Sequence, residues 1–453
     1  MTSLLGTSLL GSTFVHDPKK EYIKIQGVVL GESSKYALGQ LSNRNISVLL
    51  DEALKDERTV AIVYNWGTGI GYVKSGFDLS VDSDSAINKE YTTFIVKDRV
   101  TNSIVPFSTS HKRPSEAELS HSDYVRWNGS TFTLRGKKFY PVGPNVYWLG
   151  FQESYEYPNR RQIEEAFKIA QNMNATCIRS HTLGVSSGHS KSLLETNFSP
   201  AAWEPIDYTF WMAGQYNIKL IVPLTDNYFY YHGDYSHFCT KRGKTKKDFW
   251  MDYTLRDDFK AYIRKWLEHT NRYTKLKMKD EPSLFLIELG NELGNIRRDN
   301  DSVPPKEWIE DITRFIKSID TNHMILDGSD ECLGKSDNFN ITTVNAYRSN
   351  FYGKDYNKMD GHASSAAAKR KPFLVTEFDS KFDDEFLKHI ERNKNINGSF
   401  WWCLYGKDDN GNYIRHDDGY TQYYKESGSF NNLLRLTNHA RRLQSLPEVN
   451  SLP

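Results

Sequence analysis

From Phe139 onward, short apolar runs alternate with longer stretches in which apolar residues recur every three to four positions. The runs are Tyr140–Tyr147, Thr176–His181, Lys219–Leu224, Leu284–Leu289, His323–Asp327, Ile341–Tyr347, Pro372–Phe378 and Gly398–Leu404. Their length and continuous hydrophobicity suit strands buried on both faces. Between them, Trp308, Ile309, Ile312, Phe315 and Ile316 form one apolar stripe of a helix, and Ile163–Asn172 and Asp258–Asn271 repeat the pattern. Eight buried strands joined by helical crossovers predict an α/β fold, a closed (β/α)8 TIM barrel with its helices outside.

The first 125 or so residues lack this rhythm. Short β-prone runs, Tyr22–Leu30, Val60–Asn65 and Tyr91–Val96, are separated by polar turns, with a helical candidate at Ser47–Lys55. The polar stretch Ser108–Asp123 then reads as a linker. The expected organisation is a smaller β-rich domain over 1–125 and the barrel over 126–453. The segments Ala61-Ile62-Val63-Tyr64 and Gly71-Tyr72-Val73-Lys74-Ser75 resemble two strands of PAN/apple binding modules, here without the cysteines that staple such modules. A plain β-rich packing module remains the alternative.

Composition narrows the partners. Lys and Arg number 58 against 57 Asp and Glu, a formal net charge of +1, so no global field favours nucleic acid or an anionic membrane. No stretch approaches the roughly 20 apolar residues of a membrane helix, and Met1–Ser12 lacks the basic and apolar regions of an export signal. The expectation is an intracellular protein, or a secreted one if a leader has been removed. Cys177, Cys239, Cys332 and Cys403 are too few for a disulfide scaffold and lack zinc-site spacing. No H-E-x-x-H pair occurs, so neither metal nor cofactor is expected.

Barrel chemistry sits at the C-terminal ends of the strands. The polar residues closing the apolar runs are Arg179 and His181, Asp226 and Asn227, Asn291 and Glu292, Asn345 and Tyr347, Glu377, and Trp402. Two carboxylates on the fourth and seventh strands face one another across a barrel mouth. Cleavage of a glycosidic bond with retention needs such a pair: one carboxylic acid protonates the leaving oxygen while one carboxylate attacks the anomeric carbon, the two roughly 5 Å apart. Glu292 is the expected acid/base and Glu377 the nucleophile, held ionised by Arg179 and Tyr347. Glu288, deeper in its strand, reads instead as a buried partner for Arg179 or for a backbone group.

These motifs resemble glycoside hydrolase family 5, and within it the fungal and plant β-1,4-mannanases, over most of residues 130–425. The resemblance rests on Ile287-Glu288-Leu289-Gly290-Asn291-Glu292 and Pro372-Phe373-Leu374-Val375-Thr376-Glu377-Phe378, which match the family's acid/base and nucleophile motifs. Ile221-Val222-Pro223-Leu224-Thr225-Asp226-Asn227-Tyr228 and Asp417-Asp418-Gly419-Tyr420-Thr421-Gln422-Tyr423-Tyr424 are similar to two further family motifs. The resemblance implies retaining cleavage of β-mannan or manno-oligosaccharides, with Asn291 at the sugar 2-hydroxyl, Arg179 and Tyr347 behind the nucleophile, and Trp402 flooring the cleavage subsite. His181, Asn227 and Asn345, from their places at strand ends, are expected as further substrate contacts. Asn345 departs from the family, which has His in its H-x-Y motif there, and Gly328–Asn340 is shorter than its counterpart in typical mannanases.

Three other readings stay open: an exo-acting β-mannosidase, a β-glucan hydrolase, and a carbohydrate-binding barrel without catalysis. Gly184-Val185-Ser186-Ser187-Gly188 matches G-x-S-x-G, but a polar loop follows where a nucleophile elbow needs a helix. The basic run Lys241–Lys247 is expected to be a solvated loop.

Overall fold

The computed structural model describes residues 119–453 except 295–302, 330–339, 409–410, 417 and 453, together with Leu49 and six strands nearer the N-terminus. The chain divides into two compact units, Met1–Lys112 and Arg113–Pro453.

In the first unit, β1 (Phe14–Val15), β2 (Tyr22–Gln26), β3 (Ala37–Ser42), β4 (Ala61–Asn65), β5 (Ile70–Lys74) and β6 (Tyr91–Val96) form one antiparallel sheet in the order β1-β2-β6-β4-β5-β3. The segments that carry the PAN/apple resemblance fall on β4 and β5, which pair with Tyr64 opposite Gly71. Ala61, Ile62, Val63 and Val73 are buried with Leu49. A Cβ on Gly71 would come within 2.6 Å of the Leu49 side chain, so glycine lets that residue close over the sheet. The helical candidate Ser47–Lys55 lies outside the described residues except for Leu49, which is helical.

The second unit opens with a small antiparallel sheet, β7 (Arg126–Trp127), β8 (Phe132–Leu134) and β9 (Lys137–Phe139). Phe132 and Phe139 meet Phe285 edge-on at 5.1 and 5.7 Å and pack with Ile221, Leu286, Leu374 and Phe400, closing the N-terminal end of the barrel with apolar surface.

Eight parallel strands follow: β10 (Val142–Pro144), β11 (Cys177–Arg179), β12 (Lys219–Pro223), β13 (Leu284–Glu288), β14 (Met324–Leu326), β15 (Tyr347–Phe351), β16 (Phe373–Asp379) and β17 (Ile396–Trp402). They pair as β10-β17-β16-β15 and β11-β12-β13-β14. Parallel bridges Asn145↔Arg179 and Leu326↔Ala346 join the two halves, so the barrel is closed. Gly143 makes the first junction tight: a Cβ there would lie 1.9 Å from the Cys177 carbonyl oxygen. Helices α1 (Arg160–Asn172), α2 (Pro200–Tyr216), α3 (Tyr253–Glu268), α4 (Lys306–Ile319), α5 (Tyr356–Ala368), α6 (Asp384–Arg392) and α7 (Phe430–Leu443) follow every barrel strand but β14 among the described residues.

Local chemistry explains the helix boundaries. Asn159 and Gln162 form a reciprocal capping box at the start of α1. Ser199 caps α2 with Pro200 behind it, and Asn217 ends that helix in the left-handed conformation. In α4, Trp308, Ile309, Ile312 and Ile316 are buried as the stripe requires; Phe315 lies at its edge beneath Lys260 and Arg264.

One strand is displaced from its expected position. The apolar run Ile341–Tyr347 is not the sixth barrel strand; β15 begins at Tyr347, and Asn345 and Tyr347 therefore lie at the closed end of the barrel. The Asn345 side-chain oxygen accepts the Ile325 N–H at 2.8 Å, and the Tyr347 hydroxyl lies 3.4 Å from Lys371 Nζ. The real strand is polar because Arg348 is fully buried inside the barrel.

Candidate active site

The C-terminal mouth holds a cavity of 690 Å³ whose lining includes Glu292, Glu377, His181, Asn291, Asn350, Tyr352 and Trp402. Arg179, fully buried at the end of β11, is its structural centre. The guanidinium donates to both Glu288 oxygens at 2.7 and 2.9 Å, to Asn145 Oδ1 at 3.0 Å, to His181 Nε2 at 2.8 Å, to Asn291 Oδ1 at 2.8 Å and to Glu377 Oε1 at 2.7 Å. Burial disfavours its charge, but Glu288 and Glu377 more than restore it and keep it cationic. Because Arg179 can only donate, His181 accepts at Nε2 and carries its proton on Nδ1. Burial and Arg179 push the His181 pKa well down, so the ring is neutral.

Glu377, near the end of β16, receives two donors: Arg179 at one oxygen and the Tyr352 hydroxyl at the other, 2.8 Å away. Tyr352, not Tyr347, is thus the phenol behind this carboxylate. Glu292 lies just beyond β13 with φ of 48°, the left-handed region that a non-glycine residue adopts at a cost. Burial, then the charge of Glu377, raises its pKa. Asn350 donates to Glu292 Oε1. A hydrogen-bonded chain stands behind it: Arg348 Nε donates to Thr376 Oγ1 at 2.5 Å, and the Thr376 hydroxyl donates to Asn350 Oδ1 at 2.9 Å.

Asn291 is oriented by two neighbours, with Arg179 on its oxygen and its Nδ2 facing Asp226 Oδ1 and Oδ2 at 3.3 and 3.2 Å. Asp226 is fully buried and its pKa is pushed well up, first by burial, with Glu292 and Glu377 adding to it. Trp402 ends β17; the Trp402–Cys403 peptide bond is cis.

The structure brings Arg179, His181, Asn291, Glu292, Glu377 and Trp402 together and leaves three of the expected residues out. Asn345 and Tyr347 sit at the other end of the barrel, as described. Asn227 is fully buried outside the cavity lining, where its side-chain oxygen accepts the Gly294 N–H at 3.2 Å and fixes the loop after β13. Sequence reasoning missed Asn350 and Tyr352, which repeat the N-x-Y spacing five positions downstream of Asn345 and Tyr347. It also missed Glu153 and His416, loop residues with no periodic signal. Ser186 of the G-x-S-x-G match is buried, and its hydroxyl accepts the Leu193 N–H at 2.8 Å.

The donor atoms of His181, Asp226 and His232 lie within 4.8 Å of one another, as do those of Cys403, His416 and Asp418. In both groups these atoms are engaged by protein partners, Arg179 and Asn291 in the first and Trp402 in the second. Neither group is assigned as a metal centre.

The phenols can be told apart by substitution. Tyr352→Phe removes a hydrogen bond to a carboxylate, worth roughly 1.5–3 kcal/mol, so kcat/KM for a glycoside cleaved at this site should fall about 10- to 100-fold. Tyr347→Phe should leave kcat/KM within about twofold. Equal losses from both variants would contradict the placement of β15.

The class that fold and site define is a closed (β/α)8 barrel with two carboxylates lining its C-terminal mouth. The model of the GH family 5 beta-mannosidase-like family matches residues 202–359, about a third of the chain. A putative mannan endo-1,4-beta-mannosidase of Arabidopsis thaliana is 29% identical over 248 residues, covering 53% of this chain and 60% of the relative. A mannan endo-1,4-beta-mannosidase of Oryza sativa subsp. japonica is 26% identical over 260 residues, covering 56% of this chain and 57% of the relative. The chain thus spans about 60% of the length of these plant relatives. Among solved structures, the endo-1,4-beta-mannanase from Rhizomucor miehei superposes with a TM-score of 0.61 at 21% identity, over 71% of this chain and 99% of that one. A glycoside hydrolase family 5 mannosidase from the same organism gives 0.59 at 16% identity, over 72% and 99%. Both likenesses establish the barrel fold.

Proposed function

We propose that this protein hydrolyses β-1,4-mannosidic bonds in mannan or manno-oligosaccharides with retention of configuration. The observation that carries the proposal is the unequal setting of two carboxylates in one cavity: Glu377 between Arg179 and Tyr352, and Glu292 on Asn350 with its pKa raised. The two donors hold one Glu377 oxygen each and fix the carboxylate in place for attack, which suits a nucleophile. The upward shift of Glu292 favours its protonated form, which suits a general acid.

In the first step Glu377 attacks the anomeric carbon while Glu292 gives its proton to the leaving oxygen, and the glycosidic bond breaks as the glycosyl ester forms. In the second step the Glu292 carboxylate takes a proton from water, whose oxygen attacks the same carbon and releases Glu377. Mannan as substrate is supported by the names of the plant relatives and by Asn291, which Arg179 and Asp226 hold in one orientation toward the cavity.

The test is a time course on reducing-end-labelled mannohexaose, with the product anomer followed by NMR. The expected result is internal fragments of several lengths, with the new reducing end appearing first as the β-anomer. Mannose released one unit at a time would move the reading to an exo-acting β-mannosidase. Turnover of β-glucan but not of mannan would replace the substrate, and an α-anomer appearing first would overturn the double displacement.

A further inference from the structure

Five side chains on one wall of the cavity form a closed circuit. Trp402 Nε1 donates to Asp418 Oδ2 at 2.6 Å, and the same oxygen lies 3.2 Å from His416 Nε2. His416 Nδ1 lies 3.0 Å from Glu153 Oε1, and that carboxylate accepts the Tyr147 hydroxyl at 2.9 Å. The Tyr147 ring then stacks on Trp402, 5.2 Å between centroids and 15° from parallel, which closes the loop. Tyr147 and Glu153 follow the first barrel strand; Trp402, His416 and Asp418 end or follow the last. The circuit therefore sews together the first and last loops of the barrel.

Asp418 has no acceptor capacity left for a sugar. Its Oδ1 takes the N–H groups of Tyr420 and Thr421 and the Thr421 hydroxyl at 2.8, 2.9 and 2.9 Å, while Oδ2 takes Trp402 and His416. Both ring nitrogens of His416 face carboxylates, an arrangement that only the doubly protonated imidazolium satisfies on both sides. Without that charge Glu153 and Asp418 would be left as two anions with no cation between them.

Position gives the circuit a job. In an eight-stranded barrel the last strand lies opposite the fourth, so Trp402 stands across the mouth from Glu292. The leaving group departs past the acid, and the sugar ring attacked by Glu377 lies on the Trp402 side. We propose that Glu153, His416 and Asp418 are positioning residues that lock Trp402 against Tyr147 as the platform for the sugar being transferred, with His416 as the cationic link. This rests on the reading of the cavity as a β-mannoside site.

The charge on His416 is retained well above neutrality. Burial alone would lower its pKa, but the hydrogen bonds to Asp418 and Glu153 outweigh it and bring the value to about 9. The other groups packed on His416 do not titrate first. Burial raises the Tyr147 and Tyr405 phenols and the Cys403 thiol above their ordinary values. Tyr423, whose hydroxyl accepts the His416 N–H, is also raised, and Arg415 is paired with Glu426. Asp418 and Glu153 are both lowered, against burial, chiefly by His416. A folded-state pKa above the ordinary 6.5 means that the interaction is at full strength below about 6.5 and is lost as pH rises through about 9.

The test is binding, which is independent of the acid and nucleophile. Calorimetric titration with thiomannobiose, whose sulfur bridge resists hydrolysis, would be run from pH 6 to 10 on the wild type and on His416→Gln, Asp418→Asn and Glu153→Gln, with melting temperatures in parallel. Wild-type affinity should fall about 10-fold or more as pH rises through about 9. His416→Gln should bind that much more weakly at pH 7 and show no further loss up to pH 10. Variants that melt earlier but keep wild-type affinity and its pH dependence would overturn the proposal, because the circuit would then only stabilise the fold. If the wild type binds thiocellobiose and not thiomannobiose, the mannoside reading fails. The His416→Gln comparison on the disaccharide that does bind still decides the role of the circuit.

Discussion

Glu377→Ala is expected to lose turnover of mannohexaose by on the order of 10⁴-fold or more, because the proposed double displacement needs this carboxylate to form the covalent intermediate. Adding azide separates the roles of the two carboxylates. In Glu377→Ala a small anion can occupy the vacated face and attack an activated aryl β-mannoside directly, giving the inverted α-mannosyl azide. Glu292→Ala should behave differently. Its loss on an unactivated mannoside is about 10²- to 10⁴-fold, the usual contribution of a general acid. A dinitrophenyl leaving group needs little protonation, so the intermediate should still form, and azide should capture it as the retained β-mannosyl azide. Azide products of the same anomeric configuration from both variants would sink the assignment of roles.

The pH profile supplies an independent check. In the proposed mechanism Glu292 is protonated in the first step, and its pKa is raised by burial and by Glu377. Wild-type kcat/KM should therefore fall on the alkaline side as pH rises through that raised value. With the dinitrophenyl substrate, Glu292→Ala should lack this limb, and a limb that persisted would belong to another group.

Much of this site is legible in the sequence because barrel strands announce themselves as apolar runs and chemistry follows their ends. That rule leads directly to Arg179, Asn291, Glu292, Glu377 and Trp402. It fails on the sixth strand for a physical reason. Ile341, Val344 and Ala346 are buried ahead of the strand, and β15 itself carries Arg348, Ser349 and Asn350. A strand that delivers a buried guanidinium toward Glu288, 3.5 Å away, is polar where the rule expects hydrophobicity. Two N-x-Y triplets five residues apart then make the wrong register look right. Glu153 and His416 were beyond the reach of such reasoning, because cross-loop pairing depends on barrel closure and leaves no periodicity in either loop.

The second large effect concerns Arg179. Arg179→Lys keeps the charge but replaces a planar fork by three donors on a flexible stem, which cannot reach Glu288, Asn145, Asn291 and Glu377 together. Breaking a buried ion pair costs roughly 3–5 kcal/mol, so the variant should unfold at clearly lower urea concentration and lose kcat/KM by about 10²-fold or more. Stability and function can then be pulled apart. In Arg179→Met/Glu288→Leu the pair is replaced by apolar groups, a change that is often neutral for stability. Part of the lost stability should return, the remainder being withheld because Arg348 loses Glu288 and keeps only Thr376 and the Gly328 carbonyl as hydrogen-bond partners. Activity should not return, because Glu377 has lost its cation and Asn291 its orienting donor. Recovery of both in the double variant would reduce Arg179 to a counter-ion for Glu288. Recovery of stability alone would show that the guanidinium acts on the nucleophile as well as on the core.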